Sequence, residues 1–122
     1  MPIINIKVSI LNSEYNENFN TKAIIQDNIL KYREKDKTIV KYYLDNNILE
    51  RENNKLKLKY NFIIKTKTTG KIFFKELQKE VSISIYTNKI LRQGNSIILE
   101  YKIENNIFNY RIEEIKWAYI KN

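Results

Sequence analysis

Residues 38–64, TIVKYYLDNNILERENNKLKLKYNFII, constrain this chain more than any other stretch. Apolar and charged side chains alternate along it, and two asparagine pairs, Asn46-Asn47 and Asn53-Asn54, interrupt the alternation. A period of two sends successive side chains to opposite faces of a strand. Asparagine is, after glycine, the residue that best tolerates left-handed backbone. The stretch therefore predicts three antiparallel strands joined by two tight turns.

The same reading extends in both directions. Ile3–Leu11 makes a first strand with Ile4, Ile6, Val8 and Ile10 on one face. Residues 12–20 are polar and read as a loop. Further strands are expected at residues 21–26, 29–34, 38–45, 48–52, 55–65, 71–76, 81–88, 96–104 and from 107 onward. Turns fall at Asp27-Asn28, at 35–37, near 67–69 and at Asn105-Asn106. Only two glycines and one proline occur, so asparagine is expected to do the work of glycine at the turns.

Cross-strand arithmetic follows, because partners must face the same side. The turns put Ile25 opposite Leu30, Leu30 opposite Tyr42, Tyr32 opposite Val40 and Tyr42 opposite Arg51. They also put Arg51 opposite Leu56, Phe62 opposite Phe74, and Tyr101 opposite Tyr110. Apolar meets apolar at nearly every step, and a slip of one residue would destroy that agreement. A meander with one apolar face and two bare edges is relieved of both by closure. The fold class is all-β, an up-and-down antiparallel meander of about nine to ten strands closed into a barrel. Residues 1–122 read as a single domain.

The chain resembles the YwiB-like family of small bacterial β-barrels. The resemblance rests on Tyr32-Arg33-Glu34 closing one strand, Thr38 opening the next and Arg51 closing the one after. It continues in Phe62, a Thr69-Gly70 turn, and Thr87 ending a later strand. Where the family often has glycine shortly after the arginine, this chain has Asn53-Asn54. The resemblance implies a calycin-like barrel and carries no activity with it.

Several chemistries are excluded by composition. Histidine and cysteine are both absent, which removes His-based general catalysis, thiolate nucleophiles, disulfides and the usual zinc sites. No phosphate-binding glycine loop or nucleophile elbow is present. Glu50 and Glu52 share an outward face, while Glu113 and Glu114 point to opposite faces, so neither pair converges as glycosidase carboxylates do. The chain is read as non-enzymatic, with no cofactor and no metal. It shows no run of about 20 apolar residues and no signal peptide, and a cytoplasmic location is expected.

Arg51 is the most informative candidate, because register places it on the inner face. A buried charge must be paired. One reading makes it an anchor for a ligand carboxylate or phosphate, assisted by the Tyr42 hydroxyl; the other pairs it with a glutamate or water at a barrel mouth. The expected register sets Glu34 about 13 Å away along the strands, which argues against a direct contact. Glu76 is an equal alternative. Tyr32, Tyr42, Tyr60, Phe62, Phe74, Tyr101, Phe108 and Tyr110 line the interior, as the wall of a cavity for a small apolar or amphipathic ligand or as a filled core.

A second candidate surface lies outside. Lys55, Lys57 and Lys59 alternate with apolar residues on one long strand, and Lys65 and Lys67 follow. With a net charge of +8, this stripe fits nucleic acid or an acidic protein, with Tyr43 or Phe73 as stacking platforms. It equally fits a solvated face. Lys, Asn, Ile and Tyr all have A/T-rich codons, so genome composition alone would raise the charge. Beyond Ile112 the apolar phase shifts to Ile115, Trp117 and Tyr119. That shift predicts either a bulge at Glu113-Glu114 or a mouth cover or homodimer contact made by Trp117 and Tyr119.

Overall fold

Burial alternates with a period of two along β1 (Ile3–Leu11), where Ile4, Ile6, Val8 and Ile10 are buried and their neighbours are not. A computed structural model describes residues 3–14 and 16–115. The remaining strands are β2 (Asn16–Gln26), β3 (Ile29–Arg33), β4 (Ile39–Tyr43), β5 (Ile48–Glu52) and β6 (Leu56–Asn61). They are followed by β7 (Lys67–Phe74), β8 (Lys79–Gln93), β9 (Ser96–Ile103) and β10 (Asn106–Glu113). Every strand pairs antiparallel with its neighbour in sequence, and β1 pairs with β10 to close a ten-strand barrel. The inward residues form one continuous core.

Two connections have the expected geometry. Asp27 and Asn28 both adopt left-handed backbone, with φ of 54° and 59°, and set Ile25 opposite Leu30. The loop at 35–37 sets Leu30 opposite Tyr42 and Tyr32 opposite Val40. The asparagine pairs behave differently. After β4, residues 44–47 form the loop, so Tyr42 faces Leu49 and Val40 faces Arg51. Arg51 in turn faces Leu58, and Tyr101 faces Phe108 instead of Tyr110. Each of these registers moves by two residues, which keeps every side chain on its expected face but changes its partner.

The cause lies in how the asparagines are used. Only Asn47 of the three pairs is left-handed, with φ of 53°; at the β9–β10 turn Glu104 takes that role, with φ of 55°. Asn53 instead accepts hydrogen bonds through Oδ1 from the backbone N–H of Lys55 (2.8 Å) and Leu56 (3.0 Å), an Asx-type turn.

Four expectations need larger correction. Residues 16–20 are strand, because β1 imposes pairing on a segment whose one apolar side chain, Phe19, points inward. The expected strand at 55–65 ends at Asn61, and Thr69-Gly70 is no turn but lies inside β7. Glu76 sits exposed in the β7–β8 turn and not inside. Gly70 misleads because glycine reads as a turn signal, whereas here it makes room. A Cβ at this position would sit 2.7 Å from Ile85 Cδ1 and 2.9 Å from Tyr60 Cδ1.

Past β10, Glu114 adopts φ of 64° and Ile115 turns inward, 1% exposed, with its N–H bonded to Asn95 O at 3.0 Å. Ile115 thus regains the inward face past the end of β10 at Glu113. Trp117 and Tyr119 lie outside the described residues.

Gly70→Ala is expected to destabilise the barrel by about 1–3 kcal/mol, the usual cost of overpacking. Urea unfolding checks it, with Tyr60→Leu in the same background recovering part of the loss by freeing space.

Candidate functional site

The two ends of the lumen differ. At the end where β4 finishes and β5 begins, Ile25, Leu30, Leu44, Leu49, Ile97 and Ile112 are all at most 4% exposed. At the opposite end, the inward residues Leu56, Ile72, Phe74, Ile83, Ile103 and Phe108 are only half-buried. That end is a mouth with an apolar wall. Its flare comes from β8, whose residues 79–84 pair with β7 but run past the end of β9, which meets β8 only from Ile85 onward.

Arg51 and Glu34 meet below this mouth. Arg51 Nη2 donates to Glu34 Oε1, and the side chains are 32% and 5% exposed. The direct contact corrects the expectation from sequence, and the two-residue register shift explains it. Glu34 is level with Thr38, since its N–H bonds to Thr38 O at 2.8 Å. Arg51 lies opposite Val40, so the offset falls from four residues to two, about 7 Å along the strands and within an arginine's reach.

Burial pushes the Glu34 carboxyl above its ordinary value of 4.5, and the Arg51 guanidinium beside it only partly counters this. Arg51 is held more firmly charged by Glu34 in spite of its own burial. Asp36 lies close enough to act on both, and hydrogen bonds from Thr38 hold its carboxyl below the usual range.

Polar atoms of the pair and of two inward tyrosines are left without hydrogen-bond partners among the described residues. They are Glu34 Oε2, Arg51 Nε, Tyr32 Oη and Tyr110 Oη, all buried. Burial also pushes the Tyr110 hydroxyl well above its ordinary value. Unpaired buried polar atoms cost stability, so a cluster of them calls for a reason.

Aromatic rings complete the wall. Tyr101 stacks on Phe108 with centroids 5.3 Å apart, lies 4.9 Å from Phe62 and meets Tyr60 edge-on at 6.3 Å. Phe19 approaches Tyr32 at 6.4 Å.

The sequence-derived candidates therefore divide. Arg51, Glu34, Tyr32, Tyr60, Phe62, Tyr101 and Tyr110 share the lumen, and Phe74 sits at its lip. Tyr42 is inward but belongs to the closed end, where its hydroxyl donates to Asn47 Oδ1 at 2.7 Å and not towards Arg51. Phe19, on a segment that reads as loop in the sequence, also belongs to this wall. Its parity continues that of Ala23 and Ile25, which is the signal the sequence offers.

The lysine stripe does not lie on one strand. Lys55 is in a turn, Lys57 and Lys59 are on β6, Lys65 is in the β6–β7 connection with φ of 55°, and Lys67 opens β7. Lys57 stands opposite Glu52 and Lys59 opposite Glu50, so β5 largely balances this charge. Tyr43, one of the two expected stacking platforms, donates its hydroxyl to Glu50. Among the described residues, no cluster of three or more acidic, His or Cys side chains is arranged to hold a metal ion, and no helix is long and apolar enough to cross a membrane.

Fold and site together define a closed ten-strand antiparallel barrel with an ion pair beneath a half-open apolar mouth. Among solved structures, the crystal structure of the YwiB protein from Bacillus subtilis is similar, with a TM-score of 0.59 and 16% identity over 90% of this chain and 87% of that one. The chain thus has a YwiB-like fold. No protein-family model and no curated protein sequence matches the chain.

Because burial raises the Glu34 carboxyl, the stability it contributes is complete below its ordinary value of 4.5 and drains away as pH rises through the elevated value. Arg51→Ala removes the guanidinium and should steepen that loss. Urea unfolding from about pH 4 to about pH 8 should show the variant falling progressively below the wild type, and adding Glu34→Gln should flatten the profile.

Proposed function

We propose that the protein is a non-enzymatic, calycin-like binding protein that takes one small amphipathic ligand through the half-open mouth. The apolar body of the ligand lies along Leu56, Ile72, Phe74, Ile83 and Phe108, and its polar head reaches down to Arg51. The observation that carries this reading is a partly exposed guanidinium at the base of an apolar, half-buried wall. Glu34 already balances Arg51, so the head is one that hydrogen-bonds, as a hydroxyl or amide does, and not one that adds a full negative charge. Small movements of Tyr32 or Arg51 would then give the buried unpaired atoms partners in the complex.

Titration with N-phenylnaphthylamine, an uncharged fluorescent amphiphile, tests this. Fluorescence is expected to rise saturably to one probe per chain, to be abolished by Ile83→Asp and to weaken in Arg51→Ala, with near-UV circular dichroism verifying that both variants fold. Native mass spectrometry of the protein purified without added ligand should show a small-molecule mass that is released on denaturation. A bare mass together with no saturable probe uptake would sink the proposal.

A further inference from the structure

The outer faces of the barrel are not alike in charge. On β5–β6 opposite charges stand across from one another, Glu50 with Lys59 and Glu52 with Lys57. On β2–β4 like charges do. Lys31 stands opposite Lys41, and Lys22 lies beside Arg33, one step past the pair Ala23 and Tyr32. Like charges placed directly across a sheet repel, so this arrangement carries a cost that the β5–β6 ladder avoids. Lys41 has Glu50 on its other side. Lys22, Lys31 and Arg33 make no ion pair among the described residues.

These three cations rim an apolar floor. Ile3, Ile24 and Ile39 point outward, where a barrel strand ordinarily carries polar residues, and Ile3 is 63% exposed. By register Ile3 is opposite Ile24, Ile24 opposite Lys31, and Arg33 opposite Ile39, so floor and rim interlock in two adjacent rows. Together they line a cleft of about 320 Å³ whose charged side chains are all cationic.

We infer that this outer cleft is a second binding site, separate from the mouth, for a single-chain anionic amphiphile such as a medium-chain carboxylate. The apolar segment lies over Ile3, Ile24 and Ile39, and the anionic head draws on Lys22, Lys31 and Arg33 through charge-assisted hydrogen bonds. An anion between Lys22 and Arg33 removes the repulsion that the unliganded sheet carries. The size of the cleft also selects a small molecule, since it matches the lower end of small-ligand sites, about 300 Å³. Glu50 and Glu52 bound the cationic patch on the β5 side, which leaves no continuous basic track for a nucleic-acid backbone.

Titration of the isotope-labelled protein with decanoate below its micellar concentration, followed by two-dimensional amide NMR, tests the site. Uncharged decyl glucoside and cationic decyltrimethylammonium serve as comparisons. Decanoate is expected to shift the amides of Ile24, Lys31 and Ile39 saturably, and the other two amphiphiles should bind there far more weakly. Lys31→Glu and the pair Lys22→Glu with Arg33→Glu should each weaken decanoate about tenfold or more, the scale of one lost charge-assisted contact. These side chains are exposed, so unchanged spectra elsewhere confirm folding. Arg51→Ala should leave decanoate binding as it is, which separates this site from the mouth. Equal response to all three amphiphiles, shifts confined to lumen residues, or binding to anionic vesicles without binding of monomeric decanoate would overturn the inference.

Discussion

Closure of the sheet between β1 and β10 is the constraint on which everything else rests. A barrel of ten strands encloses more space than aliphatic side chains alone fill. The chain fills it with rings, and the stagger that closure imposes leaves β8 standing proud of β9 at one end. At the other end Leu44 in the β4–β5 loop, Ile97 at the start of β9 and Ile115 just past β10 are all buried. The asymmetry between a sealed floor and a flared mouth is therefore a product of topology, and the site inherits its shape from it.

Polar groups inside such a lumen have few places to go. Tyr42 finds Asn47, and Arg51 finds Glu34. Tyr32 and Tyr110 find nothing among the described residues. Packing alone would be served as well by phenylalanine at both positions, so their hydroxyls mark the middle of the barrel as a place where polar contact matters. The outer surface repeats the contrast in charge: β5 and β6 neutralise one another, while β2, β3 and β4 gather positive charge around isoleucine.

How much of this was legible in the sequence depended on parity and on register, which are separate matters. Parity was legible almost everywhere, since a period of two survives any even slip. Register was legible only where the turn chemistry was local and unambiguous, as at Asp27-Asn28. The asparagine pairs concealed a choice between left-handed backbone and side-chain capping, and Asn53 took the second. That two-residue uncertainty was enough to separate Arg51 from Glu34 on paper, although they touch in the fold. Gly70 was illegible for another reason. The feature it accommodates, the ring of Tyr60, lies on a different strand, and no local signal distinguishes a glycine that turns the chain from one that yields space. The YwiB-like fold was legible from scattered residues, even though the Thr69-Gly70 turn among them proved to be strand.

The order of strands has one more consequence, which concerns how the barrel is reached. Nine of its ten ladders join neighbours in sequence and can form as successive hairpins; only β1 with β10 joins the two ends of the chain. Local pairings form early, and the distant one must wait for the chain to bring its ends together. Without the pairing of Lys7–Leu11 to residues 109–113, the same meander would be an open sheet with an apolar face and two unpaired edges. The seam thus pairs two strand edges that would otherwise stand open to a second copy of the chain.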